Sequence, residues 1–124
     1  LSTINYNAFD KCYNLSLINN ESPLKLYFGT EQHGKVAYYV KNIITSDKTQ
    51  FKEIGDYLLK INEDSTEINL IRYIGNNSII NLPQSFFERK YKIESNAFFA
   101  NNTIREVNFS VGITEIGHSA FYEC

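Results

Sequence analysis

Two cysteines, Cys12 and Cys124, and two histidines, His33 and His118, have the widest chemical range in this chain. A thiol beside an imidazole can serve as a nucleophile, and several such groups together can hold a metal. The spacing supports neither. The sequence has no C-x-x-C, no H-E-x-x-H and no G-x-S-x-G. His33 falls in a polar turn flanked by Gly29 and Gly34, and His118 in a variable turn position, so both read as surface histidines. Glu63, Asp64 and Glu67 crowd one short stretch, but without the D-x-[DN]-x-[DN]-G order of a calcium loop they read as a solvated turn. There is no Gly-rich phosphate loop and no basic patch interleaved with aromatics, so nucleotide and nucleic-acid roles have no support. The expectation is no catalytic residue, no metal ligand and no cofactor.

The elements that must position any site are announced by a repeated phrase, I-x-x-x-A-F-x-x-[CN]. It occurs at Ile4–Cys12, Ile93–Asn101 and Ile116–Cys124. The step from Ile93 to Ile116 is a period in the twenties, which points to a right-handed, β-rich leucine-rich-repeat solenoid. In such an array each coil buries an apolar face against the next, and the product is surface. The expected core is Ile4, Ala8, Phe9, Ile93, Ala97, Phe98, Ile116, Ala120 and Phe121, with Val107 and Phe109 from the strand between the last two phrases. Phe98 and Phe121 should stack in adjacent coils. Cys12 and Cys124 fill one slot of different coils and read as small buried free thiols. Equivalent slots three coils apart lie ~14 Å apart, and a disulfide needs Cα atoms within ~7 Å.

A strand-like run follows the phrase. In Ile104–Phe109, Val107 and Phe109 should face inward while Glu106, Asn108 and Ser110 face outward. Ile80–Pro83 fits the same slot with Asn81 outward, and Leu15–Asn20 is a weaker third case with Asn19 outward. Such strands stack in parallel, so their outward residues form columns.

The chain is read as one domain, 1–124: a repeat over 1–20, an irregular insert over 21–79 and two repeats over 80–124. Within the insert, Lys35–Asn42 suits a short helix or a strand equally. Asp56–Ile61 and Thr66–Ile74 around Asn62–Ser65 read as a β-hairpin, and Gly75–Ser78 as a tight turn.

Composition narrows the partners. A length of 124 residues suits one domain, and 43% hydrophobic residues suffice for a core. A formal charge of −2 gives no reason to expect nucleic acid or an anionic membrane. No apolar run approaches the ~18 residues that would span a bilayer, so no membrane insertion is expected. The chain has no Met and both ends fall within a repeat phrase, so it reads as part of a longer protein. It holds 15 Asn, 15 Ile and nine Lys against three Arg, the signature of A/T-rich codons. The N-x-[ST] matches at Asn14, Asn20, Asn76, Asn101 and Asn108 follow from that Asn richness and read as chance.

The phrase, the strand after it and the stretch Tyr73–Pro83 resemble the BspA-like leucine-rich-repeat family, Gly112–Cys124 most closely. The likeness covers about 68–124 and 1–15 and is loose over 21–67. It implies a secreted or cell-surface bacterial protein that adheres to a protein partner, such as a host extracellular or cell-surface protein, and it implies no shared active site. The function expected is thus non-catalytic protein–protein interaction or adhesion. The alternative is a non-catalytic targeting or spacer module of a larger secreted enzyme. Candidate contact residues are the outward column Asn81, Glu106 and Asn108, and the aromatic pair Tyr38 and Tyr39, which either anchors a partner or packs under the insert.

Overall fold

A computed structural model describes residues 3–62 and 67–124. The described residues are β-rich, with nine strands and one three-residue 3-10 turn as their only helix. The chain divides into two compact units, Leu1–Lys52 and Glu53–Cys124.

In the first unit, β1 (Leu17–Asn20) and β2 (Asn42–Thr45) pair in parallel, Ile18 opposite Ile43. Parallel neighbours need a long crossover, and residues 21–41 supply it. Then β3 (Thr49–Ile54) folds back antiparallel on β2, Phe51 opposite Ile43. The turn between them is held by Asp47, whose Oδ1 accepts from the Thr49 amide at 3.0 Å and from the Thr45 hydroxyl. These bonds, the one from Thr45 above all, hold the Asp47 carboxyl at about 2.

Of Lys35–Asn42, residues 36–41 are neither helix nor strand; Lys35 ends the 3-10 turn His33–Lys35 and Asn42 opens β2. His33, Gly34 and Lys35 all have positive φ (52°, 64° and 63°), which breaks both patterns. The segment is instead a corner that buries Val36, Ala37 and Val40 with Ile43, against partly buried Ile4, Phe9, Leu15 and Ile18. The first repeat phrase lies against this corner, and the Phe9 amide donates to the Gly34 carbonyl at 2.8 Å. A Cβ on Gly34 would stand 2.6 Å from the Asn5 carbonyl oxygen, so the close approach and the positive φ both require glycine.

In the second unit, β4 (Tyr57–Asn62) and β5 (Ile68–Tyr73) pair antiparallel, Leu59 opposite Leu70. The chain then alternates between two parallel sheets. β6 (Ile79–Asn81) and β8 (Glu106–Asn108) form one. β5, β7 (Tyr91–Ile93) and β9 (Ile113–Ile116) form the other, with Ile68 opposite Tyr91 and Tyr91 opposite Ile113. This winding is a solenoid. Its interior holds Leu59, Ile68, Leu70, Ile80, Leu82, Tyr91, Ile93, Ala97 and Phe98, all buried. At the close of one coil the Gly112 position would put a Cβ 1.7 Å from the Gln84 carbonyl oxygen, so no other residue fits there.

The repeat phrase is a corner with a fixed backbone signature. Its fourth residue is left-handed in every copy (Asn7 φ 57°, Asn96 63°, Ser119 60°), and so is its eighth (Lys11 61°, Ala100 56°, Glu123 59°). The corners stack through the backbone: the Phe98 amide donates to the Ala120 carbonyl at 2.8 Å, and the Tyr73 amide to the Ala97 carbonyl at 2.8 Å. Their rings stack too, Tyr73 on Phe98 at 5.2 Å and Phe98 on Phe121 at 4.5 Å. Phe121 itself is partly buried.

Three expected core residues are instead exposed. Ile116 is 45% exposed on β9, which pairs with β7 on one side and, among the described residues, with no strand on the other. Phe109 is 55% exposed because its ring meets Phe121 edge-on from outside the stack, at 5.9 Å and 86°. Ala8 is exposed at the bend of its corner, where its neighbour Phe9 turns inward. Cys12 and Cys124 are free, but exposed and not buried. The corner's last slot faces backbone at the rim: the Cys124 thiol donates to the Phe98 carbonyl at 3.0 Å.

Candidate functional site

The β6–β8 sheet carries the column expected from the sequence. Period-2 alternation turns Ile80 and Val107 inward and leaves Asn81, Glu106 and Asn108 exposed. Register places Asn81 directly beside Asn108. The Asn108 amide donates to Asn81 Oδ1 at 2.9 Å and to Glu106 Oε1 at 3.0 Å. The three side chains therefore form one bonded row on a two-stranded sheet, with the Glu106 carboxylate at its end. Ile79, also exposed, stands opposite Glu106 and adds an apolar edge. The row can accept and donate hydrogen bonds along an extended surface, but it offers no nucleophile.

The first unit carries an aromatic patch. Tyr38 and Tyr39 are 39% and 38% exposed, with ring centroids 4.8 Å apart, and Tyr13 joins Tyr39 at 4.8 Å. The pair is thus half-packed: the rings lean on each other and leave their edges in water. Partial burial and the neighbouring Tyr13 and Tyr38 raise the Tyr39 pKa. Tyr13 was not singled out by the sequence, since it follows the repeat phrase at no recurring position. In the same unit, Phe28 packs on the core while Tyr27 is exposed.

The groups with reactive chemistry do not converge. His118 is exposed, and His33 is half-buried in the 3-10 turn His33–Lys35. Among the described residues no three His, Cys, Asp or Glu side chains approach one another as metal ligands would. Glu63 and Asp64 lie outside the described residues. Glu67 pairs with Lys92. No helix among the described residues is long and apolar enough to cross a membrane.

Two of the N-x-[ST] matches have a structural explanation. Asn20 Oδ1 accepts from the Ser22 amide and hydroxyl (3.1 and 2.6 Å), and its own amide donates to the Leu24 carbonyl at 2.7 Å. Asn101 Oδ1 accepts from the Thr103 amide and hydroxyl and from the Ile104 amide, at 3.0, 2.8 and 3.2 Å. Both are Asx turns that release the chain from a coil.

No protein-family model matches this chain, and neither a curated protein nor a solved structure resembles it significantly.

Proposed function

We propose that the chain is a non-catalytic protein-interaction module, a leucine-rich-repeat solenoid of the BspA-like kind, carried by a secreted or cell-surface protein and used in adhesion. The observation that carries this reading is the exposed row Asn81–Asn108–Glu106. A stacked core fixes its geometry, so a large protein can dock on it without reordering the surface. Its groups suit a wet interface, where direct and water-bridged hydrogen bonds are about equally common. The repeated corner phrase and its period support the family reading, and the antiparallel β4–β5 pair is then an irregularity set into the array.

The test is solid-phase binding of the chain to extracellular-matrix proteins, comparing it with Asn81→Ala/Glu106→Ala/Asn108→Ala. These exposed substitutions should each leave stability within about 0.5 kcal/mol. Binding should fall, with thermal unfolding little changed. Undiminished binding by a folded triple variant would refute the assignment and move the contact to Tyr38, Tyr39 and Tyr13.

A further inference from the structure

Arg89, Lys90 and Lys92 crowd three cations into one short stretch of a chain whose formal charge is −2. The one aromatic in the run offers no stacking face: Tyr91 is fully buried, and its hydroxyl donates to the Pro83 carbonyl at 2.7 Å. The structure also separates the cations. Lys92 is engaged by Glu67 and by Glu115, the latter at 3.4 Å. Arg89 and Lys90 are exposed and have no ion pair among the described residues.

These two side chains line a cleft of about 330 Å³ with Glu67, Tyr91 and Thr114. Their backbone is held firmly. Phe86 and Arg89 exchange two hydrogen bonds, 3.1 and 2.9 Å, across a tight turn. Buried Phe86 and Tyr91, ring centroids 4.7 Å apart, pin that turn to the core. Its central residues, Phe87 (φ 51°) and Glu88 (φ 62°), are both left-handed, a strained choice for non-glycine residues.

The cleft is therefore mixed: two cations, a Thr114 hydroxyl that donates to the Tyr91 carbonyl at 3.3 Å and can still accept, and a Glu67 carboxylate that also pairs with Lys92. A guanidinium fork and an ammonium suit an oxyanion with several oxygens. The carboxylate and the hydroxyl suit a ligand that also brings hydroxyl donors. A uniformly charged nucleic-acid strand brings anions without an aromatic platform to stack on here. A sugar chain with anionic substituents brings both kinds of group. We propose that the Arg89–Lys90 cleft binds a sulfated polysaccharide, its sulfate esters on Arg89 and Lys90 and its hydroxyls on Glu67 and Thr114.

The probe is heparin, as an affinity matrix and as size-defined oligosaccharides, applied to the full chain. Retention at low salt is expected, although the net charge is negative. Arg89→Ala/Lys90→Ala should weaken oligosaccharide affinity about tenfold, as the loss of two exposed ionic contacts, and reduce the counterions released by about two. Lys11→Ala/Arg105→Ala removes the same net charge from other exposed positions and should stay within about twofold of the parent. Lys90→Arg should retain binding. Circular dichroism and unchanged melting establish that the variants are folded. Flow-through of the parent chain, equal loss in both double variants, or equal competition by desulfated heparin would each overturn the proposal. So would tighter Arg89- and Lys90-dependent binding to polyglutamate or to phosphatidylserine vesicles, which would assign the cleft to an acidic peptide or a membrane.

Discussion

Phe98→Ala should be among the costliest single substitutions in the second unit. Phe98 is 2% exposed and is sandwiched between Tyr73 at 5.2 Å and Phe121 at 4.5 Å, with interplanar angles of 20° and 12°. Truncating a buried Phe costs about 3–5 kcal/mol, from lost transfer energy and the cavity left behind. Here the cavity sits in the middle of a stack, and neither neighbour can close it without breaking a backbone bond, Tyr73 N–H to Ala97 or Phe98 N–H to Ala120. The upper half of that range applies. Phe121→Ala removes a partly buried ring with one stacking partner and one edge-on partner, Phe109. It should cost about 2 kcal/mol, in proportion to the smaller area removed from water. The chain has no Trp, so urea unfolding is followed by far-ultraviolet circular dichroism and tyrosine fluorescence. A double-mutant cycle between Phe98 and Phe121 should show coupling of about 1 kcal/mol. A cost below about 1 kcal/mol for Phe98→Ala, or additive effects of the pair, would refute the stacked-corner account of the solenoid.

Asp47 sets an acid limit on the first unit. Its folded value of about 2 lies below its ordinary 3.8, so its contribution is complete above about pH 4 and is lost as the pH falls through about 2; Asp47→Asn should flatten the stability–pH curve in that window, and an unchanged slope would refute the role. Asn101→Ala removes the acceptor for two amides and a hydroxyl and should destabilise by about 1 kcal/mol, measured by urea midpoint. Phe87→Asn/Glu88→Gly puts residues that favour positive φ into the Phe86–Arg89 turn and should stabilise by about 1 kcal/mol. A lowered melting temperature would show that the Phe87 side chain supports the fold more than its backbone strains it.

What the sequence discloses about this chain follows from which of its signals are periodic. The pair Ala97-Phe98 recurs as Ala120-Phe121 at the same place in the next phrase, and the two pairs stack as that recurrence implies. Tyr73 fills the same ring column one coil earlier, yet Arg72 stands before it where the phrase has Ala. The signal that remains is its separation from Phe98, nearly that of Phe98 from Phe121. The left-handed fourth position is legible as Asn, Asn and Ser, short polar residues that tolerate positive φ. The eighth holds Lys, Ala and Glu, residue types that do not announce a left-handed turn, although in each copy the amide of the ninth residue closes that turn on the carbonyl of the sixth. Burial in a stacked coil depends on what lies on both sides, which a pattern cannot carry. Ile93 and Ile116 occupy one slot of the phrase, but Ile93 lies between two neighbouring strands and is 1% exposed, while Ile116 has one and is 45% exposed. The same limit governs the candidate sites. Alternation alone turned Asn81, Glu106 and Asn108 outward, because a half-exposed strand has only two faces. Which of Arg89, Lys90 and Lys92 is free depends on two carboxylates remote from them in sequence. Glu67 stands just before β5 and Glu115 lies on β9, the two strands that flank β7 and its Lys92. Only the folded register brings those three side chains together, and it leaves Arg89 and Lys90, just ahead of the sheet, without a counterion among the described residues.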